Sequence, residues 1–209
     1  MPGKLDAALL EKARRSLRRR DPTLGALIRR VGPCGIEPRG DPYRALVRSV
    51  VYQQLAGAAA GAIAGRLRRA HGGRYPAPAK LLAASDPQLR EIGLSRQKIA
   101  TLRALAEAFE DGTLSTRALR RMDDEAVVEA VTQIRGIGEW TAHMLLIFSM
   151  GSPDVLPVGD YGVRKGAQAV YDLPELPDRR ELEALGERWR PYRSVAAWYL
   201  WRYPALEDA

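Results

Sequence analysis

The sequence is poor in the residues that bind metals and form disulfides. Cys34 is the single cysteine among 209 residues, and His71 and His143 are the two histidines. One thiol excludes a disulfide framework and any zinc site or metal cluster that needs several thiolates. Two histidines leave little for a histidine-based metal site. We therefore expect that the protein requires no cofactor.

Long hydrophobic runs are also missing. No window approaches the roughly 20 apolar residues that a membrane helix needs. Residues 1–20 lack the uninterrupted apolar segment of a secretory signal. The sequence predicts a cytoplasmic protein, nucleoid-associated if it is bacterial, with no membrane partner.

Charge is unevenly balanced. Lysine and arginine number 33 against 25 aspartate and glutamate residues, which gives a net charge of +8. A basic balance of this size points to a polyanionic partner such as nucleic acid, but it does not choose between DNA, RNA and a membrane surface. Five arginines between residues 14 and 20 lie beside leucines at helical spacing, and they form either a solvated helix face or a set of phosphate contacts.

Helix start signals recur along the chain. Asp41-Pro42, Ser95 and Asp123 each precede apolar residues at helical spacing. Glycines 57, 61 and 65 fall on one helix face, which predicts close helix–helix packing. No segment alternates apolar and polar residues with a period of two, so we expect an all-α fold.

The stretch Ile134-Arg135-Gly136-Ile137-Gly138-Glu139-Trp140-Thr141-Ala142 lies between two apolar helices. Its two glycines permit positive φ and leave no side chain to block a close approach. Backbone N–H groups at the start of the second helix can then hold a phosphate without reading sequence. The alternative is a simple corner between two helices with glycine caps.

This stretch resembles the hairpin of the helix-hairpin-helix DNA glycosylase superfamily. Three more segments are similar to family motifs in the family's order: Val51-Tyr52-Gln53-Gln54-Leu55, Leu156-Pro157-Val158-Gly159-Asp160, and Glu187-Arg188-Trp189-Arg190-Pro191-Tyr192-Arg193-Ser194. The last is similar to the alkylated-base branch, the 3-methyladenine DNA glycosylase II type. Each match alone is weak, but the ordered set is specific.

The resemblance implies a two-lobed helical fold with the active-site cleft between the lobes. We expect residues 1–209 to form a single glycosylase core, with one lobe built from 1–40 plus 150–209. The other lobe, 41–149, contains the hairpin. The four cysteines that bind an iron–sulfur cluster in some relatives are missing.

By the same resemblance Asp160 is the catalytic carboxylate. It follows a proline- and glycine-containing loop and stands where a helix begins, and the helix dipole there favours its ionised form. A carboxylate facing the sugar can stabilise positive charge or activate water. The alternative is that Asp160 only caps the helix. Asp154, six residues earlier, is interpreted as a turn residue.

Trp140 occupies the position of the lysine that bifunctional superfamily members use to form a Schiff base. Trp140, Tyr192 and Met144 are the candidate base-pocket residues, with core packing as the alternative for Trp140 and Tyr192. An indole face suits a cationic methylated purine. Where Met144 stands, relatives can carry an aromatic residue, which leaves the base preference open.

The resemblance also assigns the DNA contacts. Leu55, with Gln54, takes the position of a wedge that fills the space left by a flipped nucleotide; the alternative is a core leucine. The hairpin phosphate contacts fall on Gly136, Ile137, Gly138 and Thr141. A structural monovalent cation is implied at the backbone of Ile134 and Gly136. Arg164, Lys165, Arg190 and Arg193 are either phosphate contacts or ordinary surface residues, and Trp189, Trp198 and Trp201 are assigned to the core.

The sequence thus predicts a monofunctional DNA glycosylase of base excision repair, monomeric, acting on double-stranded DNA that contains damaged bases. It flips out alkylated bases of the 3-methyladenine and 7-methylguanine type and hydrolyses the N-glycosidic bond to leave an abasic site. Two alternatives are a bifunctional glycosylase/lyase and a non-catalytic helix-hairpin-helix DNA-binding protein. The preferred lesion among alkylated, deaminated and etheno bases or methylated pyrimidines is left open.

Overall fold

The computed structural model describes residues 4–55 and 57–203, and within these ranges it contains thirteen α-helices and no strand. In chain order the helices are α1 (Ala7–Arg20), α2 (Pro22–Val31), α3 (Pro42–Tyr52), α4 (Gly57–Ala70), α5 (Pro78–Ala83), α6 (Asp86–Glu91), α7 (Arg96–Glu110), α8 (Thr116–Leu119), α9 (Asp124–Thr132), α10 (Glu139–Leu145), α11 (Tyr161–Val170), α12 (Arg179–Gly186) and α13 (Arg193–Leu200). A π-helical turn, Leu146–Met150, follows α10, and a 3₁₀ turn, Glu187–Trp189, follows α12. The predicted all-α class is confirmed.

None of the helices in the described part of the chain combines the length and the apolar character needed to cross a membrane.

The helix starts follow the sequence signals. The side chain of Asp41 accepts a hydrogen bond from the Arg44 N–H at 3.1 Å, and Pro42 stands at the first helical position of α3. Ser95 and Asp123 cap α7 and α9 in the same way. Each cap satisfies an N–H group that the first turn of a helix cannot pair internally, so these three predictions are confirmed.

The chain divides into two compact units. The first comprises the described parts of Met1–Pro38 and Leu146–Ala209, and the second is Arg39–Leu145. In the first unit, α1 packs on α2 and α13, and α11 packs on α13. In the second, α3 lies at the centre and contacts α4, α7, α8 and α10.

A buried carboxylate joins distant parts of the first unit. Asp21 is 2% exposed and ends α1 while it caps α2, where its Oδ1 accepts from the Leu24 N–H at 3.0 Å. Its Oδ2 accepts from the Tyr171 hydroxyl at 2.6 Å and from the Trp189 Nε1–H at 3.1 Å. Three donors offset the desolvation that burial of a carboxylate costs.

The prediction of close packing through glycines 57, 61 and 65 is wrong. A Cβ at Gly57 would meet nothing within 4 Å, and at Gly61 and Gly65 it would meet only the ends of flexible side chains. The buried face of α4 consists instead of Ala60, Ala64 and Leu67. Close backbone approach occurs elsewhere, because a Cβ at Gly166 in α11 would overlap the Leu200 carbonyl of α13.

Buried phenols make the fold sensitive to alkali. Burial raises the pKa of Tyr43, Tyr171 and Tyr199 far above the ordinary value of about 10. It also raises the pKa of the Cys34 thiol to about 11. Below about pH 7 these groups are protonated in both the folded and the unfolded chain, so they add no pH dependence there.

As the pH rises above 10, the unfolded chain loses phenolic protons that the folded chain retains. We expect the free energy of unfolding to fall by about 1.4 kcal/mol per pH unit for each buried tyrosine, measured by urea unfolding between pH 8 and 11. Tyr43→Phe removes one of the three groups and should make the decline shallower. Tyr161→Phe, at a side chain that is 67% exposed, serves as the control. An unfolding midpoint constant across this pH range would contradict the prediction.

Candidate active site

Asp160 stands at the start of α11, after a tightly turned loop. The Val158 N–H donates to Leu156 O and the Asp160 N–H to Pro157 O, both at 2.9 Å. The Asp160 side chain caps the helix, with Oδ1 accepting from the Val163 N–H at 2.9 Å. Asp160 is therefore a helix cap, as one interpretation of the sequence predicted, and it is also half-buried rather than enclosed.

The cap carboxylate has a second partner that the sequence did not reveal. Trp201 donates its Nε1–H to Oδ1 of Asp160 at 2.8 Å. The indole stacks on Phe148 of the π-helical turn, with ring centroids 5.7 Å apart and planes inclined by 30°. The assignment of Trp201 to the core is therefore wrong: this half-buried indole orients the candidate catalytic carboxylate.

Gly162 makes this contact sterically possible. A Cβ at that position would lie 2.9 Å from Trp201 Cδ1 and 3.1 Å from Asp160 Oδ1. Any larger residue would push the indole away from the carboxylate. In the sequence, Gly162 is the only nearby sign of this contact. The indole that it accommodates, Trp201, lies 41 residues after Asp160.

Asp154 pairs with the arginines of the closing segment. Its carboxylate accepts from Arg193 Nε and from an Arg190 terminal nitrogen, each at 2.9 Å, and from the Arg193 N–H at 3.2 Å. The interpretation of Asp154 as a turn residue thus agrees with the structure. These arginines brace the loop before Asp160. Arg164 has a different partner, because it donates to Pro177 O at 2.7 Å, in the segment between α11 and α12.

Tyr192 lies between these two arginines, at the residue before α13. It is 6% exposed. Trp189 and Trp198 are buried, as predicted, at 0% and 7% exposure. Asp160, Trp201 and Tyr192 all belong to the first unit.

The candidate phosphate site lies in the second unit, in the turn between α9 and α10. Gly136 adopts φ +86°, and a Cβ there would overlap the Thr101 Oγ1 of α7. Glycine is required at this position twice, by the backbone conformation and by the close contact. Both Gly136 and Gly138 are exposed.

Gly138 differs from the prediction for the hairpin glycines. Its φ is not positive, and a Cβ would meet nothing within 4 Å. Within the described chain no contact therefore requires a glycine here. Its carbonyl accepts from the N–H groups of Thr141 and Ala142 at 3.0 and 3.2 Å, which starts α10.

Two of the four residues assigned to phosphate binding have other partners. The Ile137 N–H donates to Ile134 O at 2.9 Å, and the Ile137 side chain is 4% exposed. Thr141 is 1% exposed, its N–H donates to Gly138 O, and its hydroxyl accepts from Gln53. Thr141 and Ile137 thus help to build the turn, where their backbone N–H groups are used, and their assignment as phosphate contacts stays a prediction.

The hairpin carbonyls assigned to a monovalent cation fit that role poorly. Ile134 O accepts from the Ile137 N–H, and Gly136 O accepts from Gln53 Nε2 at 3.1 Å. Each of these oxygens therefore has one lone pair fewer to offer a cation. Among the described residues, no cluster of three or more histidine, cysteine or acidic side chains offers a metal site either.

Trp140 and Met144 lie on α10, one turn apart, in the same unit as the hairpin. Trp140 is half-buried and Met144 is 9% exposed. Arg135, next to Gly136, is exposed.

The segment after α3 carries the candidate wedge. Gln54 adopts φ +54°, a left-handed conformation that is uncommon outside glycine. Leu55 is 39% exposed, although large apolar side chains are mostly buried in this chain. This exposure argues against a core leucine, and the wedge role of Leu55 stays a prediction.

Comparison with known proteins identifies the family. The model of the HhH-GPD superfamily of base excision DNA repair proteins matches residues 47–191. DNA-3-methyladenine glycosylase 1 of Schizosaccharomyces pombe is 38% identical over 170 residues, which cover 80% of this chain and 75% of that protein. The alkylbase DNA glycosidase-like protein mag2 of the same yeast is 29% identical over 201 residues, 94% of each chain.

A solved structure agrees. The Schizosaccharomyces pombe 3-methyladenine DNA glycosylase Mag1, in complex with abasic DNA, superimposes with a TM-score of 0.88 at 35% identity, covering 95% of this chain and 98% of that one. The ordered motifs, the helical fold and these similarities lead to one conclusion: the chain belongs to the HhH-GPD superfamily of base excision DNA repair proteins.

Proposed function

We propose that this protein is a monofunctional DNA glycosylase that releases alkylated purines from double-stranded DNA by hydrolysis and leaves an abasic site. The observation that carries the proposal is Asp160, a half-buried carboxylate fixed by two hydrogen bonds at the family's catalytic position. The names of the yeast relatives support alkylated bases as the substrate.

The reaction begins with a nucleotide turned out of the helix, since a base inside a duplex is out of reach of the enzyme. Unstacking costs a few kcal/mol, and less for a damaged pair. Leu55 offsets part of this cost by filling the vacated space. Gly136 and Gly138 hold the DNA backbone through their N–H groups, which conveys no sequence preference.

Bond cleavage then proceeds with water as the nucleophile. The N-glycosidic bond breaks with its electron pair going to the base, and positive charge develops on the sugar. The Asp160 carboxylate stabilises that charge and accepts a proton from the water that adds to the sugar carbon. A purine methylated at N3 or N7 is already cationic, so it departs neutral without a strong general acid.

By the family resemblance, Trp140, Met144 and Tyr192 are the residues proposed to contact the flipped base. An indole face attracts a cationic base by about 0.5–2 kcal/mol. That selectivity is modest, so the ease with which each damaged base leaves contributes the rest. At the position of Trp140 the bifunctional relatives carry a lysine, and a tryptophan has no amine that could form a Schiff base.

Two alternatives remain to be distinguished by experiment. A bifunctional glycosylase/lyase would need another amine. A non-catalytic DNA-binding protein would need the hairpin alone and would make no use of a carboxylate oriented by Trp201. The monovalent cation is left out of the mechanism because Gly136 O already accepts from Gln53.

The first prediction from the proposed function concerns Asp160→Asn. The amide oxygen still accepts from the Val163 N–H and Trp201 Nε1, so the fold is retained while the negative charge is lost. We expect base release from methylated duplex to fall about 10²–10³-fold, with DNA affinity nearly unchanged. Mass spectrometry of the freed bases measures the rate and identifies the preferred lesion.

Asp178→Asn is the matched control, because Asp178 also caps a helix of the first unit, accepting from the Glu181 N–H at 2.9 Å. It should release bases at the wild-type rate. Equal activity of the Asp160 variant and the control would reduce Asp160 to a helix cap.

The second prediction separates water from an amine as the nucleophile. Incubation with damaged duplex and borohydride should trap no covalent protein–DNA adduct, because reduction captures only a Schiff base. A bifunctional superfamily member provides the positive control. A trapped adduct on denaturing gels would show that the enzyme is bifunctional.

The third prediction concerns the hairpin. Gly136→Ala forces a Cβ into Thr101 Oγ1. We expect it to weaken DNA binding about tenfold for damaged and undamaged duplex alike, because contacts with the DNA backbone position the protein without reading the bases. Gly112→Ala has a similar φ, +82°, with nothing within 4 Å of the added Cβ, and it controls for backbone strain. Titrations at several salt concentrations should show steep salt dependence. A binding loss confined to damaged DNA would contradict a phosphate role.

A further inference from the structure

The side chain of Gln53 spans the hairpin turn. Its Nε2 donates to Gly136 O at 3.1 Å and to Thr141 Oγ1 at 2.9 Å. These acceptors lie 83 and 88 residues further along the chain, on either side of Gly138. A single amide group therefore ties the end of α3 to the turn that we propose holds a phosphate.

Both acceptors are themselves fixed. Thr141 is 1% exposed and bonds through its N–H to Gly138 O. Gly136 lies so close to Thr101 that no Cβ fits between them. Hydrogen bonds to rigid acceptors hold Gln53 in one position, whereas bonds to a mobile surface would let it move with its partners.

The backbone that follows Gln53 directs Leu55 outwards. The Gln53 N–H donates to Ser49 O at 3.1 Å and ends α3. The next residue, Gln54, takes the left-handed conformation, and Leu55 is then 39% exposed. The wedge segment (residues 53–55) thus consists of Gln53, which is fixed by hydrogen bonds, Gln54, which reverses the chain direction, and Leu55, whose apolar side chain is exposed.

Helix α7 supports the anchor from the other side. Lys98 Nζ donates to Val51 O at 2.6 Å, at the end of α3, where a cation also interacts favourably with the helix dipole. Thr101, three residues later and so on the same face of α7, contacts Gly136. One helix face therefore contacts both the base of the wedge segment and the hairpin.

We propose that Gln53 is a positioning residue that couples the phosphate-binding hairpin to the Leu55 wedge. Gln53 keeps a fixed distance between the hairpin, which binds the DNA backbone, and Leu55, which enters the base stack. DNA held by the hairpin then meets a wedge already in place, and no further ordering is needed at the moment of insertion. The inference rests on the proposed wedge role of Leu55.

The test uses a duplex in which 2-aminopurine, a fluorescent base analogue, flanks an abasic-site analogue. Its emission rises when a wedge separates it from its stacking neighbour. Base release from methylated duplex is followed in the same proteins under single-turnover conditions. The variants are Gln53→Met, which keeps the length of the side chain without its hydrogen bonds, Leu55→Ala, and the two combined. Gln97→Met, at an exposed position of α7, is the matched control.

Gln53→Met should lower the saturated rate of base release about tenfold and reduce the fluorescence rise. The protein concentration for half-saturation should change by no more than about twofold, because the hairpin contacts with phosphate survive. The combined variant should release bases as slowly as Leu55→Ala alone, because Gln53 acts through the Leu55 wedge and both changes disable that wedge.

A merely structural Gln53 would give a different pattern. Its loss would lower the melting temperature and weaken binding without reducing the saturated rate per folded molecule, which would overturn the proposal. Rate losses that multiply in the combined variant would also overturn it. If instead Leu55→Ala keeps the wild-type rate and fluorescence, the wedge role itself fails, a result distinct from a working wedge without coupling.

Discussion

The candidate chemistry depends on two hydrogen bonds that converge on one oxygen, Oδ1 of Asp160. One bond comes from the Val163 N–H in the first turn of α11, and the other comes from Trp201, the residue that follows α13. A side chain held from two helices keeps its orientation without help from the substrate. Gly162 leaves room for the indole, Phe148 stacks on it, and Asp154 braces the preceding loop through Arg193.

Features set by neighbouring residues could be predicted from the sequence. The caps of α3, α7 and α9, the all-α class and the position of Asp160 at a helix start all depend on residues within one helical turn. The family motifs gave Asp160 as the candidate catalytic residue because their order along the chain is specific. The exposure of Leu55 is an exception, because it follows the left-handed backbone of Gln54, which no sequence rule assigns to glutamine.

Features set by distant residues could not be predicted. Three glycines on one face of α4 indicated close packing, yet the close approach is made by Gly166, whose partner Leu200 lies on another helix. Trp201 was one tryptophan among four, and only the fold brings its indole to Asp160. Thr141 and Ile137 matched the hairpin pattern, but their backbone N–H groups bond inside the turn, where spacing alone gives no sign of Gln53.

The buried carboxylate of Asp21 affects the order in which the two units can fold during synthesis. Its partners Tyr171 and Trp189 follow it by 150 and 168 residues, and every residue of the second unit is translated in between. As the chain leaves the ribosome, Arg39–Leu145 has all of its own partners long before α1 and α2 have theirs. The N-terminal helices can pack on each other early, but their contacts with α11 and α13 form only when the last fifth of the protein has been made, so the first unit completes its core last.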